Sequence, residues 1–337
     1  MTAAGIVVEG LSKQYRRVRR APGWRGQLAA LLRPQVEWVR AIEDLNFQVP
    51  PGSRMAYLGP NGAGKSTTLK ILSGVMRPSS GRVTVNGRVP YAQRIAHAQH
   101  IGVVFGQRSQ LWWDLPVADS FAILRQIYQV PRPVFEKNLQ RFRSLLAMDE
   151  IERVPVRQLS LGQRMRAEIA AAFVHDPQVV FLDEPTMGLD ARLKQAIRSF
   201  IRAVHAEQGC SVLLTSHDMD DVQAVCDQVI LIDRARLAYQ GPLAGLGQQT
   251  LPRSVSFSYR PSAAAPAALA DLAQLPGVCA LESALESEDA RLRLHYRPQA
   301  LGLAALTAHL FRHFEITDFS VQEPDLDAVL RALYAKP

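Results

Sequence analysis

At 337 residues the chain is long enough for two domains, each with its own core, and its 47% apolar content is ordinary for a globular protein. Its three cysteines, Cys210, Cys226 and Cys279, are widely spaced and form no Cys-x-x-Cys pair, so neither a disulfide framework nor a zinc site is implied and a reducing cytoplasm is expected. No apolar run reaches bilayer-spanning length, the first residues lack the charged-then-apolar pattern of a secretory leader, and a net charge of +8 suits an anionic membrane surface, nucleic acid or plain solvent.

The first strand leads through Leu11-Ser12-Lys13-Gln14-Tyr15 into an arginine-rich segment at about 16–40. Arg16, Arg17, Arg19, Arg20, Arg25, Arg33 and Arg40 crowd it, against the lone acid Glu37. Within it Trp24, Leu28, Leu31 and Leu32 fall on one helical face, expected to pack on its own domain, with lipid headgroups as the other reading.

Next comes the apolar strand Met55-Ala56-Tyr57-Leu58. It runs into Gly59-Pro60-Asn61-Gly62-Ala63-Gly64-Lys65-Ser66-Thr67, which fits the phosphate-loop pattern G-x-x-x-x-G-K-[ST]. The glycines let successive N–H groups point at one anion, and the start of the helix that follows adds a favourable dipole. Lys65 suits the β- and γ-phosphates of a nucleotide, and the Ser66 hydroxyl suits Mg²⁺. Residues 82–87 and 101–105 read as strands, and the pattern from 108 to 159 is mostly helical.

Ser160 reads as a helix N-cap before the run from Arg164 to Val174, and Gly162 permits close approach. Val179-Val180-Phe181-Leu182-Asp183 is a continuous apolar run that suits a central parallel strand, whose C-terminal end is where ligands bind in open α/β sheets. Asp183 is thereby placed to hold Mg²⁺, and Glu184, next in the chain, to polarise an attacking water. Residues 228–240 alternate and turn near Asp233-Arg234, as a closing hairpin does.

Gly241-Pro242 opens a linker at 242–252. Beyond it, at 253–337, strand, helix, two strands, helix and strand follow in the order β-α-β-β-α-β of a ferredoxin-like module. In the tail, Glu323-Pro324-Asp325-Leu326 leads into an apolar stripe of Leu326, Val329, Leu330 and Leu333.

These motifs, in this order, resemble those of the ABC ATPases, over Tyr15 to about Gly241. The segment Leu159-Ser160-Leu161-Gly162-Gln163 is similar to the family's signature, with Leu161 where the commonest form has glycine. The resemblance implies an α/β fold over 5–241: a P-loop core with a helical subdomain at about 108–165, and the small α+β domain appended. It implies ATP and Mg²⁺ as ligands, hydrolysis, and a head-to-tail homodimer in which Ser160, Gly162 and Gln163 face the partner's ATP. Gln107 resembles the glutamine that touches Mg²⁺ and the attacking water. His217 resembles the switch histidine near the γ-phosphate, and Gly188-Leu189-Asp190 the loop that crosses the dimer interface. Tyr15 resembles the aromatic that stacks on adenine, with Trp24 and Trp38 as rivals.

The tail and the segment Phe105 to Pro116 are similar to ATPases serving type-2 exporters. That implies a separate integral membrane permease, with the chain peripheral on the inner face of the cell membrane and no nucleic-acid partner. Trp112 and Trp113 are candidate anchors for a permease helix, with one of the two expected in the core. The rival from another class is a soluble ABC ATPase acting on nucleic acid or ribosomes.

Overall fold

The computed structural model describes residues 5–19, 35–106, 108–248, 252–261, 265–286 and 289–322. Gln107, Trp24 and the leucines at 28–32, and the tail from Glu323 lie outside the described residues. The chain divides into two compact units, 1–241 and 242–337.

The first unit opens with strands β1 (Ile6–Arg19), β2 (Gln35–Val49) and β3 (Arg54–Leu58), then helix α1 (Lys65–Leu72). Strand β4 (Ser80–Val85), helix α2 (Arg94–Ala98) and strand β5 (Ile101–Phe105) follow. Helices α3 (Val117–Ile127), α4 (Arg132–Leu146) and α5 (Leu161–Ala172) lead to strand β6 (Val179–Asp183). Helix α6 (Ala191–Gln208), strand β7 (Ser211–Thr215), helix α7 (Met219–Val225) and strands β8 (Gln228–Asp233) and β9 (Arg236–Pro242) complete it.

Two sheets form. The larger has the order β5-β6-β7-β3-β8-β9, with β5, β6, β7, β3 and β8 mutually parallel. Its central strands are apolar without alternation because both faces are covered. At 234–235 a two-residue turn with both residues at positive φ closes the β8–β9 hairpin. The smaller sheet, β2-β1-β4, is antiparallel. One core joins the sheets through α1 and includes Leu11, Phe47, Tyr57, Leu69, Val83, Phe181 and Ile230. Each large side chain buried there stabilises the fold by about 1.5–3 kcal/mol relative to exposure.

The arginine-rich segment is described at its two ends. Its two ends are paired strand: Tyr15 lies opposite Val39, Arg16 opposite Trp38 and Arg19 opposite Gln35. These two ends lengthen one antiparallel ribbon, and their arginines leave no clean alternation to read.

The helices between β5 and β6 pack through aromatic rings. Phe142 of α4 meets Phe121 of α3 and Phe200 of α6, and Phe173 after α5 meets Phe200, with centroids 5.2–6.1 Å apart. Edge contacts of this kind add about 0.5–1.5 kcal/mol beyond burial. The expectation that either Trp112 or Trp113 is core is corrected here. Both reach solvent, at 36% and 52% exposure. Leu111, Val117 and Phe121 fill the interior instead, and the Trp113 ring packs 6.0 Å from the Arg164 guanidinium.

In the second unit, α8 (Leu243–Gln248) occupies part of the stretch read as linker. Strand β10 (Arg253–Tyr259), helix α9 (Ala265–Gln274), strands β11 (Val278–Glu286) and β12 (Asp289–Tyr296), helix α10 (Leu303–His313) and strand β13 (Ile316–Gln322) follow. The sheet order is β11-β12-β10-β13, all antiparallel. Alternate residues Val255 and Phe257, and Leu292, Leu294 and Tyr296, face the stripe of Leu272, Leu306 and Leu310 from the two helices.

Candidate active site

The loop between β3 and α1 is shaped by what crowds it. A Cβ on Gly59 would lie 2.6 Å from the Ile232 carbonyl, and one on Gly64 would lie 2.4 Å from the Ala41 carbonyl. Gly64 also takes φ +98 as it enters α1, a conformation that side chains rarely adopt. Pro60 accepts from the N–H of Ala63, closing the turn that presents Asn61 and Gly62 outward. Ser66 and Thr67 stand in the first turn of α1. No side chain caps that helix start, so its first N–H groups and its dipole remain available to an anion. Thr68 closes back on the loop, with its hydroxyl 3.1 Å from the Gly64 carbonyl and a bond from the buried Tyr57 hydroxyl.

Lys65 is buried, with its ammonium donating to the carbonyls of Gly59 at 2.7 Å and Pro60 at 3.3 Å. Burial pushes its pKa below the usual lysine value, while Glu184 and Asp183 pull it back up. The loop on β3 and the acids on β6 therefore share one electrostatic site.

Strand order explains this. β6, β7 and β3 are parallel neighbours, so their C-terminal ends open on one edge. There the Thr215 hydroxyl donates to Asp183 Oδ1 at 2.7 Å and accepts from the Glu184 N–H at 3.1 Å. Glu184 adopts φ +54, a left-handed conformation that costs a non-glycine residue on the order of 1–3 kcal/mol and marks functional sites. Its Oε1 lies 3.2 Å from Nε2 of His217, and its Oε2 accepts from the His217 N–H at 3.3 Å. Burial raises the Glu184 pKa above the usual carboxylate range, opposed by His217 and Lys65. A carboxyl shifted toward neutrality beside an imidazole is suited to taking a proton from water.

Gly106, beside Gln107, packs against this edge, since a Cβ there would lie 3.1 Å from the Asp183 carbonyl. Ser66 and Asp183 offer hard oxygen donors that fit Mg²⁺, and Lys65 and the free helix start fit phosphate. Among the described residues no three His, Cys, Asp or Glu side chains gather to hold a metal. A divalent ion held by Ser66 and Asp183 would supply charge neutralisation beside the phosphates.

Tyr15 reaches this region from β1, with its hydroxyl 3.4 Å from Thr67 Oγ1 and 3.1 Å from Met76 Sδ. Its half-exposed ring carries Lys13 Nζ at 5.5 Å from its centroid. Trp38 stands opposite Arg16 on the ribbon, 62% exposed.

Ser160, Gly162 and Gln163 form a second cluster at the start of α5. Ser160 Oγ accepts from the Gln163 N–H, and Gln163 Oε1 accepts from the Ser160 N–H, a reciprocal capping box. The Gln163 side chain is thus engaged in capping. A Cβ on Gly162 would sit 2.3 Å from Leu193 Cδ1, so the Leu193 side chain would have to shift. Asp190 caps α6, accepting from the Leu193 N–H at 2.9 Å. Leu161 and Met187, at 47% and 70% exposure, are apolar side chains left at the surface of this cluster.

Three positions were given no role from sequence. Thr215 was open to discovery, as a hydroxyl ending an apolar strand two residues before His217. Asp221 and Glu168 are acids inside helices, and nothing in the surrounding pattern sets them apart from solvated ones.

The family model described as ABC transporter matches residues 42–187. The ABC transporter ATP-binding protein NatA of Bacillus subtilis is 31% identical over 221 residues, 66% of this chain and 89% of that one. The molybdenum import ATP-binding protein ModC of Mycobacterium tuberculosis is 37% identical over 63% of this chain and 59% of its own length. The Nod factor export ATP-binding protein I of Neorhizobium galegae is 35% identical over 60% and 57%. The chain thus spans most of NatA but less than two thirds of the other two. A solved ATP-binding subunit of an ABC transporter, 22% identical, aligns over 72% of this chain and 92% of its own with a TM-score of 0.61, which bears on the fold. With the phosphate loop, the acid pair and the histidine on one sheet edge, the chain belongs to the family of ABC transporter ATP-binding proteins and is an ABC-type ATP hydrolase.

Proposed function

We propose that this chain powers an exporter by hydrolysing MgATP between two copies of itself, arranged head to tail, and passing the closure to a separate membrane permease. The observation that carries the reading is the meeting of Lys65, Asp183, Glu184 and His217 at the ends of adjacent strands. In it Lys65 and the 59–67 loop hold the phosphates, Ser66, Gln107 and Asp183 serve Mg²⁺, Glu184 is the base and His217 orients it. Ser160, Gly162 and Gln163 present a capped helix start to the nucleotide of the second copy.

Exposed Leu161 and Met187 beside that helix start support a surface meant for another chain. No helix among the described residues is long and apolar enough to cross a membrane. On this proposal the chain lies on the inner face of the cell membrane. The export direction rests on the likeness of the tail and of 105–116 to type-2 ATPases and agrees with the Nod factor relative, while ModC is an importer's subunit.

Copurification from native membranes tests the partner, with an integral membrane protein expected and RNA or ribosomes overturning the reading. Direction is tested by deleting the gene and comparing cell extract with medium. An exporter's loss enriches a compound inside and depletes it outside, and the opposite pattern refutes export.

A further inference from the structure

Asp221, on α7, is 1% exposed, and three elements share its two oxygens. The Thr186 hydroxyl donates to Oδ2. The Ser216 hydroxyl donates to the same oxygen at 3.1 Å. The Arg198 guanidinium, on α6, donates to Oδ1 at 2.6 Å from Nε and 2.5 Å from Nη2. Burying a polar group so deeply is costly unless partners such as these satisfy it.

The two hydroxyls have telling positions. Thr186 follows Glu184 by two residues, and Ser216 precedes His217 by one. Both are buried. Glu184 holds a left-handed backbone, which persists only where the surroundings over-determine it. On its strand side Thr215 takes the Glu184 N–H. On its far side the turn closes with the Met187 N–H on the Glu184 carbonyl, and Thr186 within that turn is tied to Asp221. Ser216 also accepts from the N–H of Asp218, whose carboxylate is held by Lys194 at 2.5 Å.

We propose that Asp221, steadied by Arg198, is a positioning residue for hydrolysis: one buried oxygen fastens the turn carrying Glu184 to the segment carrying His217 and so sets their contact. Misplacing a reacting group by about 1 Å can cost on the order of 10²-fold in rate. The proposal rests on reading Glu184 as the base.

The test uses the full chain with MgATP and compares Thr186→Val, Thr186→Ser and Asp221→Asn, each alone and with Glu184→Gln. Thr186→Val is nearly isosteric and leaves Asp221 its other partners. It should lower kcat about ten- to a hundredfold with KM and fluorescent-ATP affinity unchanged, while Thr186→Ser stays near wild type. Asp221→Asn should follow Thr186→Val in kcat. In the Glu184→Gln background none of the three should lower the residual rate further, because the group they position is already disabled. A wild-type kcat in Thr186→Val overturns the proposal. So does an equal loss in both backgrounds, which marks a general structural role. If Glu184→Gln itself turns over normally, the reading of Glu184 fails instead, and the two failures are distinct. Should Asp221→Asn not fold, the two Thr186 variants still decide the matter.

Discussion

At the scale of single residues the site is set by what burial does to charge. Glu184 is pushed above the usual carboxylate range by desolvation and drawn back by His217 and Lys65. As the base it must be ionised, so turnover should fall on acidification sooner than an ordinary carboxylate allows, read from the acid limb of the kcat profile. Glu184→Gln should keep ATP binding while losing about 10²–10⁴-fold in turnover, and should collect as an ATP-bound dimer on size exclusion. Wild-type turnover would remove Glu184 from the role. The base contact is decided by another pair. Tyr15→Ala should weaken ATP binding by about 1–3 kcal/mol, because the ring lies beside Thr67, and Trp38→Ala should not. A titration with the opposite order reverses the assignment.

At the scale of elements, Glu168 is the clearest case of a buried acid acting as a joint. It stands on α5 and takes the Ser109 hydroxyl and the Gln110 N–H at 3.1 Å, while Gln110 Nε2 donates to its carbonyl at 3.0 Å. The signature helix is thereby fixed to the residues just after Gln107. Glu168→Ala leaves these donors unpaired and should destabilise the chain by about 1–3 kcal/mol in denaturant titration. Folding raises the Glu168 pKa, chiefly by desolvation. Its contribution is therefore full below the ordinary carboxylate value and is lost as pH rises through the raised one. Glu168→Gln should flatten that part of the stability profile, and an unchanged slope would refute the assignment.

Elements also show where sequence reading reaches. The buried parallel strands, the loop at 59–67 and the capped start of α5 were legible because apolar runs, glycine spacing and an N-cap serine act over a few residues. The second unit's β-α-β-β-α-β order was legible from alternation in Val255, Phe257 and Tyr259 and its counterparts. The β1–β2 ribbon was missed because its arginines mask the period of two. Trp112 and Trp113 misled because size suggests burial, yet Leu111 and Phe121 already fill that interior. Glu168 and Asp221 were illegible because their partners are distant in sequence.

At the scale of the whole molecule, the proposed function makes the exposed pair Trp112 and Trp113 the surface a permease helix would meet. Trp113→Ala should release the chain from the membrane fraction, since losing an interface aromatic can cost about 2 kcal/mol or more. Its solvent-facing ring makes an unchanged melting temperature the expected companion result. A variant of normal stability that stays fully membrane-bound would end the docking role.

The strand that carries the phosphate loop has an unusual history in the making of the chain. In the large sheet β3 pairs only with partners made much later, Met55 with Leu213 on one side and with Gln228 on the other. Until both are synthesised, an apolar strand and its loop have no edges to join, and such long-range pairing is slow to form and exposed to aggregation. Nucleotide binding should therefore appear in a single late step of synthesis, once β8 has emerged from the ribosome. ATP should therefore fail to protect a shorter nascent chain from protease, and protection before β8 emerges would overturn this reading.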